Sequence, residues 1–595
     1  MPVVSEHAVR ADDLVKSQPR GKELGSPPVV ALAVAIPLAA VYLAVQPPSG
    51  DLAAATYRSD LFARVGLTLW DNGWYGGHYL PGYSLLAPAL GALAGNRLLL
   101  ALCTIAAAGL FGLIAQRILG MAGARVAAAS FALGASVTML SGRVAFSLGL
   151  TVGLLAVVAL LAETETDHGD TRSVDGADHP ASARRFAAGL VLTLLASLAS
   201  PVAGTFLALG GVAYALAGVG NRALQQRVLG RRLALEGMAD DSWQQLWHGL
   251  AIAAAGLAPI VVFALAFPEG GYEPFAPSVF WPGVAGVALI ALLLPHFDDD
   301  MRPRAARVLT WGAWLYALAL VGSFALHTPV GSNAARLGEL LAAPLVAGAL
   351  WERHRLALLI LAPLLLYWQL ETPINDVSEL VGDPSVNASY YAPLLGELRQ
   401  RAHGAPLRVE VPQTGAHWES VYLPEHGSIL LARGWERQLD TRYAAPFYAP
   451  ALTPTAYREW LYENAISYVA LPDVRLDFSG AAEGRLIAEG LPFLHEVWRS
   501  PHWRLFAVAG APGLAAAPAR LTAVGADYFT LTAPRAGSYE VRLRYTPYWA
   551  LQQGRGCVRS APGGWTVVEA QAAGTIHVGI DFSLTRIFSQ GPRCA

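Results

Sequence analysis

Asp60 follows the first long apolar run of the chain and precedes a cluster of polar and aromatic residues: Trp70, Asp71, Trp74, Tyr75, His78, Tyr79 and Tyr83. A carboxylate at a membrane surface beside aromatic rings can take the proton of a sugar hydroxyl, or it can hold a divalent metal. It can also be a helix cap or a surface charge. The rings can stack on sugar faces or sit at the level of lipid headgroups. Two arginines, Arg143 and Arg336, lie in short polar breaks between apolar runs. An arginine near membrane depth is costly and generally has a partner. That partner can be a phosphate, which a guanidinium binds through two parallel hydrogen bonds, or a carboxylate such as Glu339 or Asp60. Ser332 and Asn333 accompany Arg336 in "HTPVGSNAARLGELL". His327 and Glu269 are weaker candidates. No CxxC, HExxH or Walker A motif and no GxGxxG in a strand-to-helix context occurs, so ATP-driven and nicotinamide chemistry have no support.

The elements that must hold these residues come from the hydropathy pattern. The chain has 595 residues, 54% hydrophobic and only 14% charged, with a net charge of −2. A soluble chain carries roughly 25% charged residues. The near-neutral balance gives no surface for nucleic acid. Apolar runs long enough to cross hydrocarbon lie near 29–46, 98–116, 125–140, 144–162, 186–199, 202–218, 249–267, 282–295, 308–326, 337–351 and 356–370. Residues 80–94 form a twelfth run, but its prolines and glycines make it a poor spanning helix. Eleven spans with a cytoplasmic N-terminus gather Arg117, Arg125, Arg172, Arg184, Arg185, Arg222, Arg227, Arg231, Arg232, Arg302, Arg304, Arg307, Arg353 and Arg355 on the inner side. Counting a twelfth reverses this, so the positive-inside rule favours eleven. Residues 80–94 are then expected to be re-entrant or to lie on the surface.

The expected organisation is a cytoplasmic tail at 1–28 and a membrane domain at 29–371 with a first outer loop at 47–96. An extracytoplasmic α/β module follows at 372–510, and a β-sandwich at 511–595. The acidic stretch 163–178 is expected to be disordered. Strand-like "LRVEV", "SILLARG" and "ISYVALP" mix with helix-like "TPTAYREWLYENA" in the α/β module. Alternation with turns at "RAGSYEVRLRYTPYW" and "APGGWTVV" marks the sandwich. His417 and Trp418, in "GAHWESVYLPEHGSILLARGWERQLD", are either acceptor-binding or ordinary core and rim. Cys557 and Cys594 can pair as a disulfide if the C-terminal region is outside, or stay as free thiols.

The first apolar helix, the acid-bearing loop and "WYGGHYLPGYSLL" are followed by "NRLLLALCTIAAAGLFGLIAQRILG" and "SGRVAFSLGLTVGLLAVVALLA". With "RFAAGLVLTLLASLASPVAGTFLAL", this resembles the GT-C superfamily of polyprenyl-phosphate-sugar-dependent membrane glycosyltransferases, in particular actinobacterial GT-C-like membrane proteins. Two positions depart from the family pattern. Ser59-Asp60 stands where an acidic doublet is common, and Arg143 is followed by Val-Ala-Phe-Ser where an acid is common. The departures leave open a changed metal dependence or lost catalysis. The resemblance implies an inverting transferase of the plasma membrane, moving a sugar from a polyprenyl-phosphate donor to a cell-envelope glycan or lipid. In that reading Asp60 is the base and the ligand of any divalent metal (Mg or Mn). Arg143, Arg336 and Asn333 take the donor phosphate. Trp70, Asp71, Trp74, Tyr75, His78, Tyr79, His417 and Trp418 contact sugar or acceptor. The competing functions are a lipid-linked sugar transporter or flippase, and an inactive glycan-binding envelope protein.

Overall fold

A computed structural model of the chain describes residues 25–161, 179–228, 239–293, 301, 303–425, 427–589 and 591–594. Most of the N-terminal tail, the acidic stretch 163–178 and the inner-loop residues Arg172, Arg231, Arg232 and Arg302 lie outside the described residues.

The N-terminal half is helical. It comprises α1 (Pro27–Val45), α2 (Asp51–Val65), a two-residue hairpin of β1 (Trp70–Asp71) and β2 (His78–Tyr79), and α3 (Ala87–Ala94). Then come α4 (Asn96–Ile118), α5 (Met121–Thr138), α6 (Val144–Leu161), α7 (His179–Ala199) and α8 (Pro201–Val228). The series ends with α9 (Ala239–Ala266), α10 (Pro277–Leu293), α11 (Pro303–Ala325), α12 (Arg336–Leu350) and α13 (Arg355–Ser378). Each of the eleven apolar runs coincides with a helix. Among the described residues nine are long and apolar enough to cross a membrane. The other two, α10 and α12, are shorter; α12 has 15 residues, about 22 Å of rise. Residues 80–94 form a turn and the eight-residue α3, too short to span. Side chains such as Leu356, Leu359 and Ile360 on α13 stay exposed, as a lipid-facing surface requires.

Small residues let the helices close up. A Cβ on Gly112 of α4 would lie 2.6 Å from Pro28 Cα of α1, and one on Gly123 of α5 would lie 2.3 Å from the Gly348 carbonyl of α12. The expected boundary at 371 falls inside α13, which runs on to Ser378 and carries Asp376 on its last turn.

Beyond α13 comes the α/β module. In chain order it holds α14 (Ala388–Ala402), β3 (Leu407–Glu410), α15 (Glu419–Tyr422), β4 (Ile429–Leu431), α16 (Arg437–Tyr443) and α17 (Pro454–Glu463). It closes with β5 (Tyr468–Pro472), α18 (Phe478–Glu489), β6 (Leu494–Arg499) and β7 (Trp503–Val508). The sheet order is β4-β3-β5-β7-β6, parallel on one side of β5 and antiparallel on the other.

The sandwich comprises β8 (Arg520–Val524), β9 (Tyr528–Ala533), β10 (Gly537–Arg544), β11 (Trp549–Gln553), β12 (Gly556–Ser560), β13 (Trp565–Ala570), β14 (Gly574–Ile580) and β15 (Arg593–Cys594). Its two sheets run β10-β13-β12-β15 and β11-β14-β9-β8. Alternate residues such as Phe529, Leu531, Val541, Leu543, Val568 and Val578 fill the space between them, as period-two patterning requires. Cys557 and Cys594 form a disulfide between β12 and β15.

The β1–β2 hairpin ties these units together through main-chain hydrogen bonds. Leu431 N–H donates to the Gly73 carbonyl at 2.9 Å, Arg544 N–H to Gly76 at 2.7 Å, and Asn72 N–H to Ala526 at 2.8 Å. Gly77, at φ 127°, makes the close turn possible, since a Cβ there would sit 2.4 Å from the Trp70 ring. The hairpin therefore enters two cores: Trp74 and Tyr75 pack with the α/β module, and Trp70 and Tyr79 pack with the sandwich.

Candidate functional site at the membrane–outer module junction

The site starts where α1 stops. Gln46 takes the left-handed conformation, Pro47-Pro48 prevents continuation, and Ser49 Oγ donates to the Ser141 carbonyl at 2.7 Å. Asp51 is then the first residue of α2, where the helix dipole favours a negative charge. The turn after α5 packs directly on this corner. Gly142, at φ 73°, comes so close that a Cβ would lie 2.2 Å from Ser49 Oγ. That contact sets the next residue, Arg143, beside Asp51.

Arg143 sits among three carboxylates from three elements. Its Nε is 3.2 Å from Asp51 Oδ2, its Nη1 is 3.7 Å from Glu339 Oε2 on α12, and its Nη2 is 3.9 Å from Asp376 Oδ2 on α13. Ser141 Oγ donates to Asp376 at 2.6 Å and fixes it. Arg336 opens α12 next to this cluster, in the field of Arg143, Asp51, Glu273 and Glu339. Its guanidinium carbon lies over the Phe146 ring, 5.4 Å from the centroid, and among the described residues it forms no ion pair within 4 Å. Glu273, in the loop 268–276 between α9 and α10, accepts a hydrogen bond from Ser332 Oγ at 3.2 Å. Burial pushes its carboxyl up to about 7, against the pull of Arg437 and Arg336.

The α/β module supplies the facing wall. Trp418 Nε1 donates to the Ser49 carbonyl at 3.2 Å, and His417 Cδ2 lies 3.5 Å from the Cβ position of Gly50. The His417 ring stacks on Trp435 at 3.4 Å. Its Nε2 is 3.6 Å from Asp477, which caps α18 and grips Arg437 at 3.0 and 2.9 Å. Burial lowers His417 to about 4 despite Asp477, so the ring is neutral at pH 7. Arg433 anchors the loop that carries Trp435 and Arg437. It is wholly buried and holds Asp440 through two bonds of 2.9 and 2.6 Å. Together these groups offer carboxylates, an unpaired guanidinium and a stacked ring pair in one place. Such a set can take a proton, hold a phosphate and align a hydroxyl-bearing acceptor.

No family model matches the chain, and no curated protein does. Among solved structures, the chain is similar to the oligosaccharyltransferase of Archaeoglobus fulgidus tethered to an acceptor peptide. The TM-score is 0.39 at 14% identity, over 76% of this chain and 69% of that one. The same protein in complex with Zn and sulfate scores 0.41 at 14% identity, over 75% and 68%. ArnT from Cupriavidus metallidurans bound to undecaprenyl phosphate scores 0.36 at 16% identity, over 82% of this chain and 98% of that one. These neighbours are GT-C glycosyltransferases.

The structure brings Arg143, Arg336, His417 and Trp418 to this junction, and Asn333 lies on the turn just before Arg336. It places Asp60 elsewhere. Asp60 is nine residues (60 − 51) along α2 from Asp51, which is about two and a half turns and the opposite face of the helix. It is exposed, and the charge acting on it is that of Arg64. The carboxylate beside Arg143 is therefore Asp51.

The aromatic cluster is also placed differently from a sugar platform. Trp70, Asp71, Trp74, Tyr75, His78 and Tyr79 are 0–7% exposed. Trp74 stacks between Tyr57 and His78, at 4.1 and 5.6 Å, and donates to the Ser420 carbonyl. Tyr75 donates to the Gly434 carbonyl, and Asp71 accepts from Tyr57 at 2.8 Å. These residues are the core of the hairpin's junction with the α/β module and the sandwich, and of them only Trp70 and Tyr79 also line a cavity among the described residues. Burial also lowers His78 to about 4.

A divalent metal does not fit the described residues. No three His, Cys, Asp or Glu side chains among them form a group that could hold one. The three carboxylates that do converge are each turned toward the Arg143 guanidinium. Asp51, Asp376, Glu273, Trp435, Arg437 and Asp477 were not singled out by sequence reasoning. The one local signal was for Asp51, an acid directly after a Pro-Pro-Ser-Gly helix stop.

Proposed function

We propose that the chain is an inverting glycosyltransferase working at the extracytoplasmic face of the plasma membrane. It transfers a sugar from a polyprenyl-phosphate donor to a hydroxyl of a cell-envelope glycan or lipid. The observation that carries this reading is the pairing of Asp51 with Arg143 at the end of the first apolar helix, beside an Arg336 that has no ion pair among the described residues.

Asp51 accepts the proton of the acceptor hydroxyl. The hydroxyl oxygen attacks the anomeric carbon from the face opposite the phosphate, and the carbon–oxygen bond to phosphate breaks. The electron pair leaves with the polyprenyl phosphate, and no covalent enzyme intermediate forms. Arg336 binds the phosphate as its charge grows, a contribution of about 3 kcal/mol for one preorganised donor group. Arg143 balances Asp51, Glu339 and Asp376 with a fixed positive charge, so no step passes through a metal. His417, Trp435 and Arg437 form the side from which the acceptor approaches. The disulfide of the sandwich supports an oxidising, extracytoplasmic setting for this face.

The test is transfer of label from a polyprenyl-phosphate sugar by purified protein in lipid nanodiscs. Asp51→Asn is expected to lose transfer by at least two orders of magnitude, whereas Asp60→Asn keeps it. Unchanged transfer in Asp51→Asn removes the proposed base.

A further inference from the structure

A second cavity lies away from the Arg143 cluster. It measures about 690 Å³ and sits where four units meet. These are the loop after α9, the β1–β2 hairpin, the α16–α17 region and the edge of the sandwich at β10 and the turn 562–564. Pockets of about 300–1,000 Å³ between domains are the usual sites for small ligands.

Its lining combines ring faces with separated polar groups. Tyr79, Tyr443 and Trp460 line it with aromatic rings, and its charged groups balance, Arg442 and Arg544 against Glu459 and Glu463, with Glu269 beside them. Arg544 is already engaged: its Nε donates to the Tyr75 carbonyl, its Nη1 donates to Gly563, and it stacks on Tyr443 and Trp565 at 4.2 and 4.0 Å. Arg442 is not engaged in that way. It is exposed, lies 5.0 Å from the Tyr443 ring centroid, and among the described residues has no carboxylate within 4 Å. Glu269 accepts the Tyr79 N–H on one oxygen. Burial pushes its carboxyl up to about 8, so at neutral pH it holds a proton and can both donate and accept. A wall with a neutral acid, a free guanidinium edge and ring faces suits the hydroxyls and C–H faces of an uncharged sugar.

The cavity is also tied to the reaction site by sequence. Glu269 and Glu273 are four residues apart (273 − 269) on one loop, a reach of at most about 14 Å. Glu273 faces the Arg336 cluster. Gly271, at φ 82°, presses the loop onto α16, where a Cβ would overlap the Gln438 carbonyl.

We propose that this cavity is a saccharide subsite that takes a neutral oligosaccharide, the distal part of the acceptor. Its assignment to the acceptor rests on the transferase reading; its capacity to bind saccharide does not. The test is calorimetric titration of the full chain in nanodiscs with tetrasaccharides of glucose, mannose and galactose, and with tetragalacturonate as a charged comparison. At least one neutral tetrasaccharide is expected to bind more tightly than the uronate. Arg442→Ala and Glu269→Ala are expected to weaken it tenfold or more, and Glu269→Gln, which keeps a neutral hydrogen-bonding group, is expected to restore it. Binding of none of the neutral sugars, preference for the uronate, or affinity indifferent to both Arg442→Ala and Glu269→Ala overturns the proposal. Saccharide binding by a wild-type protein that transfers no sugar leaves the subsite standing and removes its acceptor role.

Discussion

Replacing Arg336 with alanine separates a role in holding phosphate from a role in holding the fold. Among the described residues Arg336 has no ion pair to lose; its guanidinium lies over the Phe146 ring at 5.4 Å. That contact accounts for about 0.5–1 kcal/mol, so Tm should fall by about 2 °C or less. Removing one preorganised donor group from the developing phosphate charge costs about 2.7–4 kcal/mol, or about 10²–10³ in kcat. Arg336→Lys keeps the charge but loses the planar fork, and should fall between, at about tenfold.

Arg143→Ala provides the contrast. It leaves Glu339, 7% exposed, beside Asp51 and Asp376, which are 34% and 37% exposed. Breaking a buried pair by removing one partner costs about 3–5 kcal/mol, and the exposure of two of the three acids puts this case at the low end. Arg143→Ala should therefore lower Tm and activity together. The assay is single-turnover release of polyprenyl phosphate in nanodiscs, with thermal unfolding of the same samples. Arg336→Ala within threefold of wild type, or a Tm loss matching that of Arg143→Ala, would refute the assignment of Arg336 to phosphate.

Transfer should persist after exhaustive treatment with EDTA, because Arg143 supplies the positive charge that the clustered acids require; loss restored by Mg or Mn would contradict this. His417 has a folded-state value of about 4 against an ordinary 6.5. The unfolded chain therefore binds the extra proton between those values, and stability is present above pH 6.5 and lost as pH falls toward 4. His417→Gln should flatten that loss, on the order of 2–3 kcal/mol, in a series of thermal melts across the window. Trp74→Ala should destabilise the protein by about 3–5 kcal/mol, read by thermal unfolding, because a fully buried ring is removed. If Trp74 were instead a sugar platform, KM would rise with Tm unchanged.

The membrane helices were legible because each apolar run is long and continuous, and lipid leaves such a run few alternatives to a helix. The strand alternation of the sandwich was legible for a similar reason, since period-two patterning over several segments has one natural reading. The choice between Asp51 and Asp60 was not, because it depends on helical phase. Asp51 and Asp60 are nine residues apart and so leave α2 on opposite faces, while its buried residues, from Leu52 to Leu61, go nearly all round the helix, so the sequence pattern offers no phase that chooses between them. The meeting of Asp51, Glu339 and Asp376 on one arginine joins residues from three parts of the chain, and no local pattern encodes it. The aromatic loop was ambiguous between lipid belt and binding surface. Its actual partner, the backbone around Ser420, Gly434 and Arg544, is hundreds of residues away.

The stitching of the hairpin to both outer modules also bears on the order of assembly. Trp74 finds its acceptor 346 residues further on, and the Tyr75 carbonyl meets Arg544 469 residues further on. During synthesis the first loop emerges early, with its tryptophans and tyrosines bare, while its binding surfaces do not yet exist. The hairpin thus reaches its final setting only when nearly the whole polypeptide has been made.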